Sequence, residues 1–261
     1  MSDQFSLFDD ELQPVELEAP PEGAVLKRPE PPPVAAPVFL TPEEKVALLE
    51  ELRQPALSCV RCDLSRTRTN VVFGEGNAAA PLVFVGEGPG ENEDATGRPF
   101  VGRAGKLLDD VLRRNGMTRN HVYICNTVKC RAADMVSGRW NNRPPTPVEI
   151  AACNSWLEQQ LGIIKPLVIV CLGSPAANTL IHKGFRITAQ RGRWFTHSPY
   201  APFTMAVFHP AYILRLQGPS YDAALDTLIE DIGNARKKVI EVKRQLKEAA
   251  AVAPPPRNLF D

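Results

Sequence analysis

The sequence predicts an α/β fold built on a parallel sheet with helices on both faces. Short, mainly apolar runs of strand-forming residues recur at 81–86, 122–128, 167–172 and 204–208. Runs without polar alternation mark strands buried on both faces. Stretches of helical periodicity separate them, and strands alternating with helices imply parallel pairing. In such sheets ligands bind at the carboxyl ends of the strands, so chemistry is expected in the residues just after each run.

Residues 1–41 carry eight acids against Lys27 and Arg28, a net −6, and 12–38 are rich in Pro, Glu and Ala. Such a segment buries too little apolar surface to offset the entropy of ordering and is expected to be disordered. Order is expected from Thr41-Pro42-Glu43-Glu44, where a capping residue, an N1 proline and a third-position Glu form a capping box ahead of Val46, Leu49 and Leu52. After the first strand, Leu107, Leu108, Val111 and Leu112 outline a helix closing at Asn115-Gly116. After the second, Thr146-Pro147-Val148-Glu149 forms another capping box, leading to Ile150, Cys153, Leu157 and Leu161. Ser174-Pro175 opens a helix through Ala177, Leu180 and Ile181 after the third strand. A last helix runs from Leu225 to Leu246 before Pro254, Pro255 and Pro256. The folded body is therefore placed at 42–246, between disordered tails at 1–41 and 247–261.

No apolar run approaches the roughly 18–20 residues of a membrane span. The acidic start (Asp3, Asp9, Asp10) is unlike a secretory signal. A cytoplasmic monomer with no membrane contact is expected. With zero net charge overall, the body carries +6, a weak attraction for a polyanion. Six cysteines in such a chain point to metal ligation, catalysis or burial rather than a disulfide framework.

The first strand ends in Gly86-Glu87-Gly88-Pro89-Gly90-Glu91-Asn92-Glu93-Asp94. Glycines let a ligand approach the backbone, but four acids disfavour phosphate and the sequence has neither P-loop nor Gly-x-Gly-x-x-Gly spacing. Thr96-Gly97-Arg98-Pro99-Phe100-Val101-Gly102 follows, with Phe100 either core or a stacking platform for a planar ring. Asn126, at the end of the second strand, offers donor and acceptor together, as a base edge requires. The fourth strand ends in His209-Pro210-Ala211-Tyr212-Ile213-Leu214-Arg215. Cys59 and Cys62 form a C-x2-C pair, Cys130 follows the second strand, and Cys153 lies on an apolar helix face. Four thiolates from three places suit zinc or an iron-sulfur cluster, and spacing does not separate the two. Cys125 and Cys171, within strands, read as buried hydrophobes.

Together these motifs, with Asn126-Thr127-Val128-Lys129-Cys130 and the four cysteines in order, resemble the family 4, iron-sulfur uracil-DNA glycosylases over roughly residues 45–240. The resemblance implies a three-layer uracil-glycosylase-like α/β fold with a four-stranded, mainly parallel sheet. It implies hydrolysis of the N-glycosidic bond of deoxyuridine in DNA as the first step of base excision repair, and a 4Fe-4S cluster (alternatively zinc) on Cys59, Cys62, Cys130 and Cys153. By resemblance, Phe100 stacks on the flipped uracil, Asn126 bonds its polar edge, Gly86 and Gly88 line its pocket, and His209 donates to O2. Glu87 or Glu93 would position water, and Glu93 could instead obstruct a thymine methyl. Tyr212, Ile213 and Arg215 fall where a wedge and a phosphate contact enter DNA. The segment 132–142 is longer than in compact members. Relatives that crosslink to uracil carry a His in such a loop, whereas this chain has Asn141 and Asn142. The competing reading is a non-catalytic or covalently trapping uracil- or nucleic-acid-binding module with a structural metal.

Gln4-Phe5-Ser6-Leu7-Phe8 resembles the Gln-x-x-Leu-Phe peptides that dock bacterial sliding clamps, which implies a clamp partner for Gln4, Leu7 and Phe8 and a place near the nucleoid. The alternative is that these apolar residues fold back on the body.

Overall fold

A computed structural model describes residues 40–252. The candidate clamp residues Gln4, Leu7 and Phe8 and the end of the carboxyl-terminal tail lie outside them. In chain order the elements are α1 (Pro42–Leu57), β1 (Glu75–Gly76), β2 (Leu82–Gly86), α2 (Glu91–Thr96), α3 (Arg103–Arg114), β3 (Tyr123–Asn126) and a hairpin of β4 (Ala133–Val136) and β5 (Arg139–Asn142). There follow α4 (Pro147–Ile164), β6 (Val168–Leu172), α5 (Ser174–Leu180), α6 (Ile187–Gln190), β7 (Phe203–Val207), α7 (Pro210–Ile213) and α8 (Pro219–Val252).

Both capping boxes form. The Thr41 hydroxyl accepts from Glu44 N–H while the Glu44 carboxylate accepts from Thr41 N–H at 2.7 Å, and Thr146 and Glu149 repeat the exchange. The four expected strands are the parallel heart of a sheet of order β1-β3-β2-β6-β7, and the two-residue β1 adds an antiparallel edge.

The period of two sorts each strand between two cores. Phe84, Ile124, Val170 and Met205 face a layer built by Leu108, Val111 and Leu112 of α3 and Leu228 and Ile232 of α8. Val83, Val85, Cys125, Cys171 and Ala206 face Leu157 and Leu161 of α4 and Ala177 and Leu180 of α5. Helix, sheet and helix make three layers, and Cys125 and Cys171 are wholly buried among the apolar residues of the second.

The end of the last helix differs from expectation. α8 continues to Val252, past the fray expected at 247, because Lys247-Glu248-Ala249-Ala250-Ala251 are strong helix formers with no breaker before Pro254. The long 132–142 segment is a hairpin whose turn residues, Ser137 (φ 50°) and Gly138 (φ 78°), both take the positive φ of a two-residue turn.

Candidate active site

β2 and β3 run parallel with Gly86 opposite Asn126, so both chains leave the sheet together. The hydroxyl of Thr127 donates to the Glu87 carbonyl at 2.5 Å and Val128 N–H donates to the same oxygen at 3.1 Å, which locks the two strand ends. Around them opens a cavity of about 380 Å³ whose walls include Glu87, Gly88, Glu93, Phe100, Asn126 and His209. Six residues the sequence singled out, from three separate segments, thus share one space. Gly86 shapes it from behind: a Cβ there would lie 2.4 Å from Asn126 Oδ1 and 2.7 Å from the Phe100 ring, so only glycine leaves room for both side chains.

Asn126 is 1% exposed and its Oδ1 has no hydrogen-bond partner among the described residues. A buried acceptor without a donor is costly, on the order of 1–3 kcal/mol, and is retained where a ligand supplies the donor. His209 caps α7, its Nδ1 accepting the Ala211 N–H at 3.0 Å. With Nδ1 accepting, the proton sits on Nε2. Burial, helped by Arg215 and opposed by Glu93, lowers the His209 pKa to about 4, so at neutral pH the ring is an uncharged donor.

Phe100 holds a left-handed backbone (φ 53°), unusual for a bulky residue, with its ring 5.8 Å from that of His209. Two residues outside the sequence-derived set impose it. Arg119 donates to the carbonyls of Pro99 (2.9 Å) and Phe100 while paired with Asp109 and Glu75. Gly105 lets α3 pass against the same loop, since a Cβ there would lie 1.7 Å from the Phe100 oxygen. Neither carries a motif of its own, and only the strained loop reveals them.

The two candidate acids are unequal. Glu93 is consumed by the backbone: Oε1 accepts from Val101 and Gly102 N–H, each at 2.8 Å, and Oε2 from Gly90 N–H at 3.1 Å. It holds the Phe100 loop against α2. Glu87 makes no side-chain hydrogen bond among the described residues, and burial raises its pKa above the ordinary carboxylate value.

Cys59, Cys62, Cys130 and Cys153 line one separate cavity together with Arg68, Lys129 and Trp156. Three N–H groups point at the sulfurs: Trp156 Nε1 to Cys59 (3.4 Å), Arg68 to Cys130 (3.4 Å) and the Lys129 backbone to Cys153 (3.2 Å). Among the described residues, no group of three or more His, Cys, Asp or Glu side chains is set closely enough to hold a metal ion.

The model of the uracil DNA glycosylase superfamily matches residues 73–233. The type-4 uracil-DNA glycosylase of Thermotoga maritima is 49% identical over 172 residues, 64% of this chain and 84% of that protein. Those of Archaeoglobus fulgidus and Sulfurisphaera tokodaii are 41% and 39% identical, over 64% and 75% of this chain and 83% and 87% of theirs. The chain belongs to the type-4 uracil-DNA glycosylases.

Against that family frame, the segment after β7 divides. Ile213, expected as part of a DNA wedge, is fully buried in the core of α3 and α8 and cannot enter DNA. Its apolar character serves packing because α7 turns it inward beneath His209. Tyr212 (39% exposed, its ring 5.3 Å from Phe208) and the exposed Arg215 instead border a second cavity of about 330 Å³. That space shares Glu87, His209 and Ala211 with the first cavity.

Proposed function

We propose that this chain excises uracil from DNA, with a neutral His209 as electrophile and Glu87 as the acid that orients water. The reading rests above all on one observation: an uncharged, tautomer-fixed His209 shares a cavity with the unpartnered Oδ1 of Asn126. Uracil N3–H supplies the missing donor, whereas the N3 of cytosine is an acceptor and leaves the buried oxygen unpaired. Phe100 offers its face to the flipped ring. As the C1′–N1 bond breaks, its electron pair passes to uracil and charge gathers on O2, where the Nε2–H of His209 donates. C1′ becomes cationic, Glu87 stabilises it and aligns water, and the water gives its hydroxyl to C1′ and a proton finally to the base. Glu93 positions the Phe100 loop. Tyr212 and Arg215 would meet the DNA beside the pocket. The relatives' type-4 uracil-DNA glycosylase names disfavour the non-catalytic or covalently trapping alternative.

Treating the full chain with a uracil-containing oligonucleotide and then alkali is expected to cut the strand at uracil alone, and an uncut strand would overturn the proposal. Glu87 also sets a pH dependence. Its carboxylate is the working form, so kcat/KM should fall as pH drops through a pKa above the ordinary carboxylate value, with no further step near 6.5 because His209 is already neutral there. Glu87→Gln should be slow and lose that acid limb; a limb unchanged in this variant would move the role to another acid.

The resemblance favours a 4Fe-4S cluster over zinc on the four cysteines, which line one cavity with three N–H donors suited to thiolates. Such a cluster would be structural, tying the segment after α1 and the end of β3 to α4. Burial raises the Cys130 thiol to about 11, so loading must expel its proton. Anaerobically purified protein is expected to be coloured with about four irons per chain. Cys153→Ala should lose the iron and melt about 10 °C lower. Colourless protein with one zinc would overturn the assignment. Clamp docking through Gln4, Leu7 and Phe8, and a cytoplasmic location, remain part of the proposal on the sequence alone.

A further inference from the structure

The β4–β5 hairpin is unused by the chemistry above, yet its base is part of the pocket wall through Ala132, Asn142 and Arg143. Its register pairs Ala133 with Asn142 and Met135 with Trp140. Side chains alternate, so Trp140 and Met135 lie on the same face as the pocket-lining Asn142, about 7 Å further out along the strand. Trp140 is 43% and Met135 52% exposed. A two-stranded ribbon has no core of its own, and large apolar groups displayed there need a reason. The hairpin is also held in place. Arg131 donates to Asn142 Oδ1 at 2.7 Å and to the Trp140 carbonyl at 3.2 Å, and Arg143 joins Asp134 at its root to Glu149 of α4. Its charge suits a polyanion: Arg139, at the tip, has no ion pair among the described residues, and the one acid on the ribbon, Asp134, is neutralised by Arg143.

We propose that this hairpin is a stacking arm for DNA, with Trp140 backed by Met135 receiving the base next to the flipped uracil and Arg139 approaching its phosphate. The inference rests on the uracil-excision reading and deepens it by naming a second nucleotide subsite. Three features favour nucleic acid over a protein partner: continuity with the pocket wall, the unpaired cation, and an aromatic face that any base can stack on.

The test uses the full chain and single-stranded uracil oligonucleotides in which the nucleotide 5′ or 3′ of uracil is replaced by an abasic spacer. Wild-type excision of the ordinary oligonucleotide is measured first, and its absence counts against the glycosylase reading rather than the hairpin. Trp140→Ala is expected to raise KM roughly tenfold with little change in the saturated rate, and Trp140→Phe to keep most of the affinity. An abasic spacer on one side should weaken the wild type to the same extent and Trp140→Ala no further. Binding is followed independently of catalysis by the fluorescence quenching that wild type shows and Trp140→Phe lacks. Unchanged KM and quenching in the variants, or losses that simply multiply with either spacer, would overturn the proposal. So would concentration-dependent self-association abolished by Trp140→Ala without any effect on DNA.

Discussion

Replacing His209 by alanine is expected to lower the single-turnover rate of uracil excision by roughly 100- to 1,000-fold, the usual cost of removing one donor from a developing oxyanion. Affinity for uracil DNA should stay within about threefold, because charge on O2 exists fully only near the transition state. The physical ground is the ring's protonation state. Burial holds its pKa at about 4 and Ala211 N–H occupies Nδ1, so at neutral pH the side chain would meet O2 as an uncharged donor. The substitution also removes the α7 cap, which costs about 1 kcal/mol and a few degrees of melting temperature. His209→Asn separates the two effects, since its amide oxygen retains a cap acceptor while its shorter N–H group does not reach the place of the Nε2–H. Both variants should be slow, and only the alanine variant should melt lower. Excision within fivefold of wild type in the folded alanine variant would remove His209 from the reaction.

Much of this frame was legible in the sequence, for identifiable reasons. Strands such as Leu82–Gly86 and Val168–Leu172 are apolar on both faces because helices cover both, and two Thr-Pro-x-Glu boxes write their own helix starts. The pocket residues could be found because they follow strand ends, where parallel topology gathers them. What the sequence hid depends on distant partners. Glu87 and Glu93 look alike as acids in one glycine-rich turn, and only the backbone N–H groups of Gly90, Val101 and Gly102 assign Glu93 to structure. Ile213 resembles a wedge in a loop until α7 turns it into the core. Arg119 and Gly105 act on Phe100 from another helix and another turn, a relation no local pattern encodes.

The same partner-dependence gives the second large expectation. Asn126→Ala should reduce kcat/KM for uracil excision by about 1,000-fold or more, since a site built to bond a polar edge loses far more than one that merely fits it. Stability should fall less than in an ordinary core truncation. Removing a packed buried side chain costs about 2–5 kcal/mol, but Asn126 Oδ1 is buried with no donor among the described residues, so its loss also relieves a desolvation penalty of about 1–3 kcal/mol. It leaves only a small gap beside Gly86 and an open pocket, not a closed void. The melting temperature should therefore stay within about 4 °C of wild type while activity collapses. Thermal melting alongside single-turnover excision decides it. A large fall in stability would mean that Asn126 is a packing residue, and retained activity would mean that another group receives uracil N3–H. Free uracil, added to the wild type alone, should raise the melting temperature by supplying the donor that Oδ1 lacks, and the alanine variant should not respond.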